Sequence, residues 1–151
     1  MKKIGIDVSE LIRQDAGTGI QRVTRNVSRN LVKLSLEESK KDIPEFEYTV
    51  TSGSHSTEGF YDVNLMIYQM IKNKDNNMTK EIIESTKINI GEFDIYFFLD
   101  FQVDIFLKNI NYLKEIKTYY NTKYVYFIHD LLPLNFTLGF PKHLNEKFKH
   151  F

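Results

Sequence analysis

The chain has 151 residues, enough for one domain with a real core and short of what two domains need. Hydrophobic content of 42% and abundant Phe and Tyr exclude a disordered composition, and a net charge of zero excludes a global pull towards nucleic acid or an anionic membrane. The absence of cysteine excludes a disulfide framework and a thiolate metal site, and fits a reducing compartment.

The N-terminus "MKKIGIDVSEL" is positively charged, but Asp7 and Glu10 break its apolar stretch, so it does not read as a signal peptide. No run approaches the roughly 20 apolar residues of a membrane span. The expectation is a soluble cytoplasmic protein. Lys3 to Ser9 reads as a strand, with Ile4, Ile6 and Val8 alternating with smaller or polar residues. A loop follows to about Gly17. Thr18 to Leu36 reads as a helix whose core face carries Ile20, Val23, Val27, Leu31 and Leu34. Thr18 and Gln21 match the capping box, which makes Thr18 the N-cap.

A second strand is expected at Phe46 to Thr51, then a loop "SGSHSTEG", then a helix over Tyr61 to Asn73. "KNKDNN" reads as a solvated tip, and Lys80 to Thr86 as a short helix or irregular chain. Phe93 to Leu99 and Tyr124 to Ile128 read as strands apolar on both faces, and Val103 to Tyr120 as one helix between them. "HDLLPLNFTLGFP" reads as a loop, and Lys142 to Phe151 as the start of a helix. Strands apolar on both faces belong in a parallel sheet covered by helices. With strands and helical segments alternating, the expected class is α/β: a Rossmann-like, mostly parallel sheet with helices on both faces.

Chemistry is expected first in "DAGTGIQRVTRN", Asp15 to Asn26. In an open α/β sheet, ligands bind beyond the carboxyl ends of the strands, where this loop lies. Free N–H groups and the dipole of a helix start favour an anion, and Gly17 and Gly19 let backbone approach one closely. Arg13, Arg22 and Arg25 crowd the same place. The competing reading is that Gly17 only shapes a turn and that Arg22, Arg25, Arg29 and Lys33 form a solvated basic face. The string is not the dinucleotide fingerprint, because Arg22 stands where a third glycine belongs and no acidic residue ends the second strand. A Walker A loop is absent.

His129 and Asp130, in "FIHDLLPL", fall at the same sheet edge. His129 could donate to a phosphate or a sugar hydroxyl, and Asp130 could fix its tautomer or cap the next turn. The alternative is that both only satisfy backbone groups before Pro133. Asp100 and Asp104 also lie at a strand end. No His/Asp/Glu group has metal-ligand spacing, and no Ser-His-Asp arrangement can be read from order alone.

The strings "IGIDVSELIRQDAGTGIQRVTRNV" and "GEFDIYFFLDF … YVYFIHDLLPLNFTLGFP" together resemble the N-terminal half of GT-B glycosyltransferases of family 4, of the bacterial mannosyl- or rhamnosyltransferase-like kind. The likeness runs from Ile4 to about Pro141. It implies a single acceptor-side domain, 1–151, whose glycine loop approaches the diphosphate of a nucleotide-sugar donor while a glycan or lipid-linked acceptor binds alongside. It implies sugar transfer in surface polysaccharide synthesis, no bound metal or cofactor, no nucleic acid, and at most a peripheral place at the inner membrane face. By resemblance, Gly17, Thr18, Gly19, Arg22 and Asp130 bind substrate and phosphate, and His129 lines the reaction centre. The family's nucleotide-binding domain, with two glutamates seven residues apart, is not recognised here. Glu37/Glu45 and Glu84/Glu92 have that spacing but lie in no second domain. The expectation is therefore a fragment or one half of a split transferase, inactive alone. A non-catalytic module of the same fold, binding a glycan or a partner protein, is the alternative.

Overall fold

A computed structural model describes residues 1–15, 17–54, 56–73 and 86–127. Their centre is β1 (Lys2–Asp7), flanked by parallel β2 (Phe46–Gly53) and parallel β5 (Ile95–Phe98). β3 (Phe60–Asp62) and β4 (Lys87–Ile88) extend the sheet antiparallel beyond β2, and β6 (Lys123–Tyr126) pairs parallel with β5. The order is β4-β3-β2-β1-β5-β6, so the fold is α/β with a mostly parallel, mixed sheet. This architecture is compatible with a Rossmann-like fold.

Five α-helices accompany these strands among the described residues: α1 (Ser9–Arg13), α2 (Gly19–Glu38), α3 (Asn64–Asn73), α4 (Val103–Lys108) and α5 (Ile110–Tyr119). From β1 the chain steps one way to β2, and from β5 the other way to β6. Right-handed crossovers then put α2 on one face and α4 and α5 on the other. Two cores follow from the alternation of side chains. Ile6, Val8, Val50 and Leu99 meet Val32 of α2 and Met66 and Ile67 of α3. Tyr96, Phe98 and Phe60 meet Ile105 of α4 and Leu113 and Ile116 of α5. No helix among the described residues is long and apolar enough to cross a membrane.

The second core is aromatic. Tyr96 is fully buried, and its hydroxyl lies 2.6 Å from Thr51 Oγ1 on β2. Its ring occupies the space that Gly5 leaves, since a Cβ there would sit 2.6 Å from Tyr96 Cδ2. Phe98 stacks on Tyr126 with centroids 4.8 Å apart and meets Phe60 and Phe106 edge-on.

Four expectations need correction. The stretch after β1 is not all loop, because Ser9–Arg13 forms α1. The helix expected from Tyr61 begins at Asn64, because Phe60–Asp62 pairs with β2, and Asp62 accepts the Asn64 N–H at 2.7 Å. The single helix over Val103 to Tyr120 is two, broken at Asn109. That side chain is fully buried and bonded both ways, accepting from Gly59 N–H at 2.7 Å and donating to Ile105 O at 2.8 Å. The fourth correction is the buried face of α2. Gln21, Thr24, Ser28 and Val32 face inward, while Ile20 and Val23 stay 40% and 46% exposed and Leu34 is exposed too. Small Thr24 and Ser28 let the helix lie close on the sheet, and Ser28 Oγ donates to Thr24 O. Val27 and Leu31 are half-buried and pack on the core from its margin. Of Lys80 to Thr86, only Thr86 is described. Pro133, Pro141 and Lys142 to Phe151 lie outside the described residues.

Candidate functional site

The sheet reverses its direction of growth between β1 and β5, and the crevice of such a sheet opens beyond the carboxyl ends of those two strands. Three things converge there: the last residue of β1, the chain leaving β5, and the loop into α2.

Asp7 ends β1 and is 2% exposed, and Asp100, just past β5, is 3% exposed. Ser9 Oγ donates to Asp7 Oδ1 at 2.5 Å, and Gly53 N–H donates to Ser9 Oγ at 2.7 Å, tying the end of β1 to the end of β2. Val8, the N-cap of α1, makes no side-chain capping bond, and Asp100 takes that role from β5's side. Its Oδ2 accepts the Leu11 N–H at 2.5 Å. Burial pushes the Asp7 carboxyl up to about 8, and the Asp100 charge adds to this against the lowering bond from Ser9. Burial, with Asp7 nearby, also raises the Tyr96 phenol well above its ordinary range.

The glycine loop is built as its sequence suggests. Gly17 has φ of +69°, the left-handed region that glycine enters freely. Asp15 Oδ1 accepts its N–H at 3.1 Å. Thr18 caps α2 in a complete capping box: its hydroxyl accepts from Gln21 N–H, and Gln21 Oε1 accepts from Thr18 N–H. Gln21 Nε2 also donates back to Gln14 O. Thr18→Ala is expected to cost about 1 kcal/mol of stability, measured by urea unfolding, with the loss confined to the cap.

The arginines divide. Arg13 pairs with Glu10 within α1, and Arg25 pairs with Asp15 of the loop. Arg22 is exposed and makes no ion pair among the described residues. Gly17, Thr18, Gly19 and Arg22 are thus brought together at the start of α2. Among the described residues, a Cβ at Gly17 or Gly19 would meet nothing within 4 Å. Ala16 lies outside the described residues, as do His129, Asp130, His55, His143 and His150. Asp104 sits in the first turn of α4, where its charge acts on Arg13. Asp7 and Ser9 are the residues that sequence reading missed. An acidic residue closing an apolar strand, two positions before a serine, was the available signal.

Chemically, the arrangement offers an anion a helix start, a glycine backbone and an arginine that makes no ion pair among the described residues. No protein family, curated protein or solved structure matches the chain.

Proposed function

We propose that this chain is the acceptor-side, Rossmann-like domain of a GT-B glycosyltransferase, with the Gly17–Arg22 loop approaching the diphosphate of a nucleotide-sugar. One observation carries the reading. The string that suggested the family, from Asp7 through Arg22, runs along the carboxyl edge of the two strands at the sheet's switch point. Loop N–H groups and Arg22 would stabilise charge on a leaving diphosphate, while Arg25 holds the loop through Asp15. A second α/β domain would supply the nucleotide contacts, so the reading expects no sugar transfer from these 151 residues alone.

Titration with inorganic pyrophosphate, followed through backbone amide shifts, tests the loop. Shifts centred on Gly17 to Arg22, with affinity at least five-fold weaker in Arg22→Ala, support the reading. Shifts elsewhere, or no difference in the variant, refute it. The exposed Ile20, Val23 and Leu34 on α2 favour the alternative of a binding module, because apolar side chains gathered on one helix mark a surface that contacts something. Glycan binding with no response to pyrophosphate would select that alternative.

A further inference from the structure

We propose that Asp7 and Asp100 form a proton-controlled clasp that fixes α1, and through α1 the glycine loop, at the mouth of the crevice. The inference rests on the fold and needs no assumption about what the crevice binds.

Both carboxyl groups are almost wholly buried at the ends of neighbouring strands, and both lead to the same short helix. Asp7 holds Ser9, the first residue of α1, and Asp100 holds the N–H of Leu11, the third. Arg13 ends α1, and the next residue, Gln14, presents the carbonyl that Gln21 Nε2 grips from α2. Asp15 follows, bonded to Gly17 N–H and paired with Arg25. Movement of α1 is therefore passed directly to the backbone of the loop.

The charges around Asp7 decide what moves α1. From β2 it meets Thr51 and Gly53, neither of which titrates. From α1 it meets the Ser9 hydroxyl. From β5 and the residues after it come the Tyr96 phenol and the Asp100 carboxylate. Arg13, at the end of α1, is engaged by Glu10, and its charge is also felt by Asp100 and by Asp104 of α4. Among the described residues, the groups that lower the Asp7 carboxyl are hydrogen-bond donors, the Ser9 hydroxyl and the Ser9 and Gly53 N–H groups, and none is a cation. Ionised Asp7 would thus stand beside ionised Asp100 in a site closed to water, where the repulsion is strong. The Ser9 and Gly53 donors offset part of this, and displacement of α1 would relieve the rest.

The sign follows from proton binding. The carboxyl is raised from 3.8 to about 8 in the folded chain, so between those values the folded state holds a proton that the unfolded state has lost. Its stabilising contribution is complete below the unfolded value and is lost as pH rises through the folded one. The urea midpoint of the native chain should fall from pH 5 to about pH 8 and level off above.

Asp7→Asn, which keeps the shape and the acceptor for Ser9, should lack this fall. A wild-type-like slope in Asp7→Asn overturns the proposal. A second measurement needs no variant: the Asp7 carboxyl carbon and the backbone carbonyls of Leu11, Gln14 and Gly17, followed by 13C-detected spectra from pH 5 to 9.5. One shared midpoint between 7 and 9 is expected. An Asp7 midpoint below 5 overturns the clasp, and a Gly17 signal that stays still while Leu11 moves overturns its connection to the loop.

Discussion

Replacing Tyr96 with alanine is expected to remove about 3–5 kcal/mol of stability, a large share of what a domain of this size has. The ring is fully buried between β1 and α5's side of the sheet. It meets Phe60, Phe93 and Phe98 with centroids 5.0–5.8 Å away. It also fills the space over Gly5, which has no side chain to collapse into a cavity. Tyr96→Phe separates the ring from its hydroxyl. Thr51 Oγ1 still reaches Ile6 O at 3.3 Å, so this variant should lose only about 1 kcal/mol. Chemical denaturation of the two variants checks both values. A loss below about 2 kcal/mol in Tyr96→Ala would mean that neighbouring rings refill the space.

The second large effect comes from adding matter rather than removing it. Gly53→Ala would place a Cβ 2.2 Å from Ile105 Cγ2, and Ile105 is buried in the aromatic core. Strand or helix must shift, at a cost of about 1–3 kcal/mol. The same residue donates its N–H to Ser9 Oγ, so the shift also pulls on the end of β1. Gly19→Ala is the matched control, because a Cβ there meets nothing within 4 Å among the described residues. Equal melting points for the two variants would rule out the steric account.

The sheet was largely legible in the sequence because its strands are short apolar runs bounded by polar ones. The β1, β2, β5 and β6 segments all fall within expected strands or nearly so. The N-terminus of α2 was legible for a local reason, since Thr18 and Gln21 bond to one another and need no tertiary partner. What failed was set at a distance. Asn109 splits one helical pattern into two because Gly59, fifty residues away, needs its oxygen. β4 is two residues long and exists only because β3 offers it an edge. The face of α2 was misread because apolar spacing gives a stripe, whereas two small residues beside the stripe decided how the helix meets the sheet. At the site, Gly17 to Arg22 were recognised by their own pattern. Asp7 was passed over because its importance comes first from its burial at the end of β1 and then from Asp100, neither of which sequence order shows.

The position of β1 in the sheet also governs when the fold can close. The first strand to be synthesised is the one that ends up in the middle, with the Lys3 N–H bonded to an Asp94 carboxylate 91 residues later. At about 5–20 residues per second, a ribosome delivers that partner some 5–20 s after β1 itself. During that interval β1 can pair with β2, but its other edge presents open N–H and C=O groups to any extended chain nearby. The nascent protein is thus most prone to associate wrongly before β5 emerges, and arrival of Ile95–Phe98 both completes the sheet and ends the hazard.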